Sequence, residues 1–386
     1  MKNNVNTTPL RDQFLLDPNI VFLNHGSFGA CPRPVFETYQ HWQLELERRP
    51  VEFLGRRHDD LLNSAREAIG AYLNTSADNL IYVPNATHGL NVVARSLPLN
   101  AGDEILTTDH EYGALDLTWK FVCERTGARY IHHPIPLPIT SVDEVVESFW
   151  QQVTERTRVI FLSHITSPTA LILPVEEIVR RARQAGIMTV IDGAHVPGQL
   201  PLDLTALDVD FYSGNFHKWL CAPKGSAFLF VRPEHHHLIQ PGVISWGWLE
   251  DGTFASQNGW QGTRDIAAFL SVPTAIEFQA THHWEEVREQ CHTLAVETRQ
   301  RIVELTGLAP IAPDTWFAQM FAALLPPNDV EVLKRRLYDE FHIEVPLGKG
   351  IYGHAIRVSI QGYNTREDTD RLLSALAVLL PQVAYP

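Results

Sequence analysis

The sequence predicts an α/β protein with a mostly parallel sheet flanked by helices and a smaller α+β domain at the C-terminus. Short apolar runs alternate with helical patterns from about residue 30 to 265, an order typical of parallel sheets covered by helices on both faces. After residue 265 a long helical pattern precedes a mixture of strands and helices. The 386 residues are enough for one large domain and a satellite.

The first part of the chain supplies the alternating elements in order. Apolar runs between polar or turn-forming residues indicate buried strands, and longer runs with apolar residues at helical spacing indicate helices. The predicted helices are 61–73, 87–96, 113–126, 142–153 and 175–184, and the predicted strands are 79–83, 104–107, 128–132, 158–163 and 187–191.

The second part of the chain has a different rhythm. A helical pattern covers 266–306, and further elements follow at 316–325, 329–340 (helix), 343–345, 355–359 and 366–380 (helix). The first 20 residues are polar and interrupted by proline, which suggests an arm on the surface or on a partner. We therefore expect an N-terminal arm (1–30), a large cofactor-binding α/β domain (31–265) and a small α+β domain (266–386).

Composition limits the classes of function. The formal charge of −14 argues against binding to nucleic acid or to an anionic membrane. The four cysteines lie far apart without a CxxC pair, so we expect free thiols and no metal site. The N-terminus has no apolar signal core and no run is long enough to span a membrane, which favours a cytoplasmic protein.

Lys218 and Asp192 are the pair from which we infer a cofactor. Asp192 follows the strand 187–191, and Lys218 follows the next apolar run, so both lie at strand ends, where α/β sheets bind ligands. Taken alone, each is compatible with a surface lysine or a capping aspartate. Together they fit pyridoxal 5'-phosphate (PLP), whose Schiff base needs a lysine and whose pyridine nitrogen needs a carboxylate. Partial burial would lower the pKa of that lysine.

A strand, a turn and a helix at 82–90 offer a place for the phosphate. The helix begins near Ala86, and its first N–H groups favour an anion, with the hydroxyl of Thr87 beside them. An ordinary helix cap is the alternative. Asn215 has a side chain suited to a phosphate oxygen, and His217 either orients the ring or phosphate or packs. A GxGxxG pattern is missing from this turn, which argues against a nucleotide-binding oxidoreductase.

Other polar and aromatic residues at strand ends complete the predicted site. His195 is expected to support the carboxylate or the phenolic side of the cofactor, with simple packing as the alternative. Tyr112 can stack on the pyridine face, and Ser167 belongs to a run of short hydroxyls near the expected phenolic oxygen. Arg357 is a lone cation in the apolar run 355–359. It suits a substrate carboxylate, with a structural ion pair as the alternative.

Six short motifs together resemble one family. The chain is similar to the class V aminotransferases of PLP fold type I, and within them to the isopenicillin N epimerases, in the runs LNHGSFG (23–29), SHITS (163–167), IDGAH (191–195), HKW (217–219), QGT (261–263) and RVS (357–359). The HK and DGAH elements are fairly specific to class V but not to one reaction.

The resemblance implies a role for each matching residue. Lys218 would hold the cofactor covalently, Asp192 would contact the pyridine nitrogen, and Thr87 and Asn215 would bind phosphate. Arg357 would bind the substrate carboxylate, with Asn24 and His25 also on the substrate side. Three further places are implied: Tyr112 where cysteine desulfurases usually carry a stacking histidine, Ser167 where many relatives have asparagine, and Thr263 at the phosphate of a neighbouring subunit. A homodimer with shared sites follows.

The resemblance also bears on the reaction. Cysteine desulfurases need a thiolate in the loop before Arg357, and residues 345–354 contain no cysteine, which argues against that activity. We therefore expect a PLP enzyme that acts at Cα of an amino acid or an amino-acid-derived substrate, first as an epimerase or racemase. A carbon–sulfur lyase or an aminotransferase is the alternative. A non-catalytic scaffold with the same fold would need neither Lys218 nor Asp192.

Overall fold

A computed structural model describes residues 10–249, 252–350 and 352–383; the first nine residues of the predicted arm lie outside them. The strands are β1 (Val21–Phe22), β2 (Leu80–Val83), β3 (Glu104–Thr108), β4 (Arg129–His133), β5 (Thr157–Ser163), β6 (Met188–Asp192), β7 (Phe211–Asn215), β8 (Ala227–Val231), β9 (Met320–Leu324), β10 (Ile343–Glu344), β11 (Leu347–Gly350) and β12 (Gly353–Ser359).

Helices cover most of the remaining described chain. They are α1 (His25–Phe28), α2 (Arg33–Arg48), α3 (Pro50–Glu52), α4 (His58–Tyr72), α5 (Ala86–Ser96), α6 (Gly113–Thr126), α7 (Val142–Trp150), α8 (Val175–Ala185), α9 (Leu204–Leu207), α10 (Phe254–Gly259), α11 (Ala267–Leu270), α12 (Val272–Thr281), α13 (Trp284–Thr306), α14 (Val330–Phe341) and α15 (Arg366–Val383).

Seven strands form the main sheet in the order β2-β8-β7-β6-β5-β3-β4. The strands β7, β6, β5, β3 and β4 run parallel to one another, whereas β8 is antiparallel to both of its neighbours, β7 and β2. The predicted mostly parallel α/β sheet is therefore confirmed, although β8 was not predicted.

Side chains of the central strands enter two separate cores because successive residues point to opposite faces of a sheet. Ile160 and Leu162 of β5 belong to one buried cluster, and Val159 and Phe161 of the same strand belong to another. Burial on both faces explains the near-continuous apolar composition of these strands. It leaves the strand ends as the place for polar groups.

The register of the central strands brings three polar residues together. Asp192 at the end of β6 is the Cα partner of Ser163 on β5 and of Ser213 on β7. Asp192 therefore lies in the middle of the carboxyl edge, where ligands bind in sheets of this kind.

The C-terminal part of the chain contains a second, smaller sheet. Its strand order is β11-β12-β9, all antiparallel, and β1 pairs with β10 in parallel. The helix predicted over 266–306 is in fact three helices, because the chain breaks at Ser271 and at His283, where φ is +50°. The division of the chain at residues 30 and 265 stays a prediction.

Gly29 brings the segment after α1 against the backbone of the lysine segment. Its φ of 69° and ψ of 166° lie in a region that is essentially restricted to glycine. A Cβ atom at this position would lie 1.9 Å from the carbonyl oxygen of His217. The close approach thus fixes the backbone next to Lys218.

We predict that Gly29→Ala lowers the free energy of unfolding by about 3 kcal/mol, since strain and a backbone clash each cost roughly 1–3 kcal/mol. Gly102 is the matched control, because it also has a positive φ but open space around it. Gly102→Ala should cost only about 1 kcal/mol. Denaturant unfolding followed by circular dichroism measures both, and equal losses would contradict a specific role for the Gly29 contact.

Candidate active site

Lys218 brings an amine into a buried position just after β7. Part of its side chain is accessible, but the amine is removed from water, and this burial lowers its pKa to about 7. The guanidinium of Arg357 lowers that pKa further, and the carboxylate of Asp192 acts in the opposite direction. A lysine with this pKa is a nucleophile near neutral pH. The three residues predicted to carry the chemistry therefore interact electrostatically within one site.

His195 has its proton placed by a neighbouring indole. Trp219 Nε1 donates to His195 Nδ1 over 3.2 Å, and burial holds the pKa of His195 well below its usual value. The neutral ring must then carry its proton on Nε2, which lies 3.1 Å from Lys218 Nζ. The sequence predicted that His195 supports the carboxylate or phenolic side, and here it faces the amine.

Asp192 presents a carboxylate oxygen that no other group uses. Its Oδ1 accepts a hydrogen bond from the amide of Ala194 at 2.8 Å, and in the described ranges Oδ2 has no hydrogen-bond partner. Burial raises the pKa of Asp192 to about 6, against the effects of the Ala194 amide and of Lys218. The carboxyl group is thus mainly ionised at neutral pH and has one oxygen available for a protonated ring nitrogen.

The start of α5 is held by two asparagines. Asn215 Oδ1 accepts from the amide of Ala86 at 2.8 Å, and Asn85 Oδ1 accepts from the amide of His88 at 2.8 Å. The predicted role of Ala86 as a phosphate donor needs correction, because its N–H is already bonded. Across the residues that the structure describes, neither the amide nor the hydroxyl of Thr87 donates a hydrogen bond, and the Asn215 amide nitrogen has no partner.

His217 contacts its own loop. Its Nδ1 donates to the carbonyl oxygen of Ser226 at 3.2 Å, which leaves Nε2 unprotonated in the neutral ring. Burial and the nearby Lys218 lower its pKa to about 4. A phosphate close to Nε2 would favour the charged ring and raise this pKa, so both predicted alternatives, packing and phosphate binding, stay open for His217.

Arg357 lacks the ion pair that a partly buried guanidinium normally has. Its Nη1 donates to the carbonyl oxygen of Ser167 at 2.6 Å and to Ser167 Oγ at 3.1 Å, and its Nη2 donates to Ser27 Oγ at 3.1 Å. Buried Nε has no partner, and in the described parts of the chain no carboxylate pairs with this side chain. Burial lowers its pKa to about 10. The arrangement disfavours the structural ion pair and leaves a cation for an anionic ligand.

Asn24 supports the arginine indirectly rather than facing the substrate. Its Nδ2 donates to Glu344 Oε1 at 3.2 Å, and its Oδ1 accepts from Ser27 Oγ at 2.5 Å. Ser27 in turn accepts from Arg357. The predicted substrate contact of Asn24 therefore needs correction, and Ser27 is a site residue that the sequence analysis missed although it lies in the same motif.

His25 also needs correction, because its side chain is fully buried. Its Nε2 lies 3.0 Å from the carbonyl oxygen of Lys218, and its Nδ1 lies 2.9 Å from the hydroxyl of Tyr363. Burial lowers the pKa of His25 to about 3, so the ring is neutral. With its proton on Nε2 it donates to the lysine carbonyl and fixes the backbone that carries the amine.

Tyr112, Ser167 and Thr263 are the remaining predicted residues. Tyr112 is the residue before α6 and is 45% exposed. It lies close enough to Arg357 to raise the pKa of that guanidinium. Ser167 holds Arg357 through its carbonyl and hydroxyl oxygens, so its hydroxyl is not reserved for a cofactor. Thr263 is exposed and makes no hydrogen bond within the part of the chain that the structure describes.

Glu111 is a second buried acid that the sequence analysis did not single out. Its Oε2 accepts from the amide and hydroxyl of Ser163 at 2.8 and 2.6 Å, and its Oε1 accepts from Thr108 Oγ1 at 2.6 Å. Burial raises its pKa to about 8, and the charge of Asp192 contributes in the same direction. Glu111 thus ties the end of β3 to the strand that flanks Asp192. Its position directly before Tyr112, a predicted site residue, could have identified Glu111 from the sequence.

Together these groups fit PLP. A buried amine of low pKa suits the aldehyde, the open oxygen of Asp192 suits the ring nitrogen, and the unused donors of Thr87 and Asn215 suit the phosphate. The unpaired Nε of Arg357 suits an amino-acid carboxylate.

Within residues 10–249, 252–350 and 352–383, no helix is both long and apolar enough to cross a membrane. The same residues contain no group of three or more His, Cys, Asp or Glu side chains that could hold a metal ion. All four cysteines are free thiols.

Comparisons with known proteins identify the family of the chain. A sequence model of the family "Aminotransferase class-V" matches residues 30–372. The chain is 38% identical to an isopenicillin N epimerase of Amycolatopsis lactamdurans, over 96% of this chain and 97% of that protein. It is 26% identical to an L-cysteine desulfhydrase of Arabidopsis thaliana, over 93% and 87%.

A solved structure gives the same answer for the fold. The cysteine desulfurase CsdA of Escherichia coli superposes with a TM-score of 0.80 at 22% identity, covering 97% of this chain and 98% of that one. The likeness confirms the predicted fold type I.

We predict that PLP attaches to the apoprotein at a rate that rises through about pH 7, because the neutral amine of Lys218 is the nucleophile. Arg357→Met should move this midpoint to higher pH, since the arginine lowers the pKa of Lys218. Asp192→Asn should move it to lower pH, since Asp192 is ionised at pH 7 and raises that pKa. The growth of visible absorbance measures the rate. Midpoints that move in the same direction would refute this charge arrangement.

Proposed function

Because the chain belongs to the class V aminotransferase family and PLP is its cofactor, we propose that it is an enzyme that inverts Cα of an amino acid or an amino-acid-derived compound, in the manner of an isopenicillin N epimerase. The observation that carries the proposal is the pairing of Lys218, a buried amine whose pKa is lowered to about 7, with Arg357, a guanidinium without an ion pair in the described residues. The two groups interact electrostatically. A base and a carboxylate anchor in one site are what removal of a Cα proton requires. The identity to the Amycolatopsis enzyme favours epimerisation.

Each residue has a defined task in this proposal. Arg357 holds the substrate carboxylate with its planar fork and so directs Cα toward Lys218. Lys218 would anchor the cofactor, and its amine, when free, would take the Cα proton on Nζ. His195 keeps a proton on Nε2 beside that amine, and Asp192 keeps the ring nitrogen protonated. When bound, PLP supplies a ring that withdraws electrons from Cα.

The fate of the proton separates the candidate reactions. Its return to the other face of Cα gives the epimer, whereas loss of a β-substituent gives a lyase and transfer of the amine gives an aminotransferase. The likeness to an L-cysteine desulfhydrase favours the lyase as the second candidate. The absence of cysteine from residues 345–354 argues against a desulfurase that carries sulfur on a thiolate.

We also propose a homodimer in which each active site includes Thr263 of the other subunit. The exposure of Thr263 supports this proposal, as does its lack of a hydrogen bond in the described residues of its own chain. Its hydroxyl would then complete the phosphate site begun by Thr87 and Asn215. The cytoplasmic location likewise stays a prediction.

The reaction is tested with the PLP-loaded enzyme and single amino acids in deuterated water. We expect deuterium at Cα together with loss of chirality, without a matching release of keto acid, ammonia or sulfide. Lys218→Ala should reduce exchange by about a thousandfold or more, since it removes the base. Proton NMR and chiral chromatography measure the two quantities. Keto acid without loss of chirality would replace the epimerase by an aminotransferase, and sulfide from cysteine would replace it by a lyase.

The shared site is tested by co-expressing Lys218→Ala and Thr263→Ala chains with different tags. A mixed dimer would contain one site with an intact lysine and an intact threonine, because the two substitutions fall in the other site. A random mixture should therefore recover about a quarter of the wild-type sites. A chain with both substitutions is the control and should stay inactive as a homodimer. Activity equal to the average of the two single-variant homodimers would rule out sharing.

A further inference from the structure

A groove of about 510 Å³ lies beside the site and has no role in the reaction described above. Its walls are mainly apolar and include Ile135, Leu137, Ile311 and Leu324. A cavity of this size matches the clefts that enclose small ligands. A larger cavity of about 610 Å³ lies around Trp260. Neither lining includes Lys218, Asp192 or Arg357, so the groove is connected with the site through neighbouring residues.

The small sheet connects the groove with the carboxylate anchor. On paired strands β9 and β12, Leu324 is the partner of Ala355 and Ala322 is the partner of Arg357. Residues two apart on a strand share a face and lie about 7 Å apart. Leu324, which lines the groove, is therefore one residue pair away from Arg357 on the same face of the sheet.

Two loops connect the groove with the site as well. Tyr352 lines the groove, and its hydroxyl donates to the carbonyl oxygen of Pro168 at 3.1 Å, next to Ser167, which holds Arg357. His110 also lines the groove, two residues before Tyr112. The groove thus lies next to the segments that hold Arg357, where the substrate carboxylate is expected.

One polar side chain of the groove wall, His110, is not fully hydrogen-bonded in the described residues. His110 is 1% exposed and its Nδ1 lies 2.8 Å from Thr169 Oγ1, but in the described residues its Nε2 makes no hydrogen bond. Asp109 Oδ1 lies 3.5 Å from that nitrogen and disfavours a second anion nearby. The site is therefore suited to a neutral group that can form a hydrogen bond.

Resting on the function proposed above, we propose that this groove receives the substrate side chain, which is long and mainly apolar and carries a neutral hydrogen-bonding group within reach of His110. The volume is far larger than a cysteine-sized side chain needs, so the groove would select against the substrates named for the desulfhydrase and desulfurase relatives. Each methylene group of the substrate that the apolar walls cover makes the free energy of binding more favourable.

The test measures binding of four L-amino acids to the PLP-loaded enzyme through the change in its visible spectrum. Norleucine should bind at least about tenfold more tightly than alanine, since extra methylenes fill an apolar pocket. Glutamine should bind more tightly than glutamate, because the two differ only in the charge that Asp109 disfavours. Equal affinities within both pairs would overturn the proposal.

Ala309→Trp narrows the groove at an exposed loop position. It should weaken norleucine binding by about tenfold and leave alanine within about twofold. Ala185→Trp, at the exposed end of α8, is the size-matched control and should change neither. Arg357→Lys should weaken both amino acids alike, because both carry the carboxylate. Pro310→Trp, also exposed in this wall, repeats the test should Ala309→Trp not fold.

The outcomes show separately whether the groove assignment fails and whether the proposed function fails. Equal weakening of alanine and norleucine by Ala309→Trp, or no weakening of either, overturns the groove assignment and leaves the proposed reaction intact. A wild-type, PLP-loaded protein that binds none of the amino acids overturns both proposals.

Discussion

Removal of the Lys218 amine from water is the constraint on which the rest of the site depends. An ammonium group is costly to bury, and the neighbouring guanidinium of Arg357 makes the charged form less favourable still. The pKa of the amine is therefore lowered to about 7, and in its neutral form the lone pair can accept a hydrogen bond from the N–H of His195 Nε2. Trp219 sets that tautomer, and His25 binds the carbonyl oxygen of Lys218. Gly29 packs against the backbone of His217, the residue before Lys218. These contacts all restrain Lys218 or the backbone that carries it.

The sheet contributes the opposite charge. Asp192 occupies the central strand end, and its buried carboxylate is more basic than usual but still ionised at neutral pH. Glu111 lies beside it and accepts three hydrogen bonds from Ser163 and Thr108. The charge of Asp192 adds to burial in raising the pKa of Glu111, so Glu111 is the carboxyl group that gives up its charge, whereas burial alone raises the pKa of Asp192. The register of β5 and β6 thus has an electrostatic consequence at the cofactor.

The sequence was informative where a local pattern determines the structure. Asp192 and Lys218 follow apolar runs, so their placement at neighbouring strand ends could be inferred from chain order, and Arg357 stood out as a lone cation between apolar residues. Asn24 and His25 could not be assigned correctly, because their partners Glu344 and Tyr363 are 320 and 338 positions away. The break of the predicted helix at His283 and the strand β8 were missed for a related reason. Both depend on packing between segments rather than on local preference.

The effect of Arg357 on Lys218 explains why this arginine has no ion pair in the described residues. Ser27 and Ser167 bind the guanidinium through neutral oxygens only, so its full charge acts on the nearby amine and adds to the effect of burial in lowering the pKa of Lys218. A substrate carboxylate at Arg357 would cancel much of that charge. The same event that brings Cα into the site would therefore make Lys218 a stronger base. A permanent carboxylate partner would remove this dependence, which gives a physical reason for a binding arginine without an ion pair.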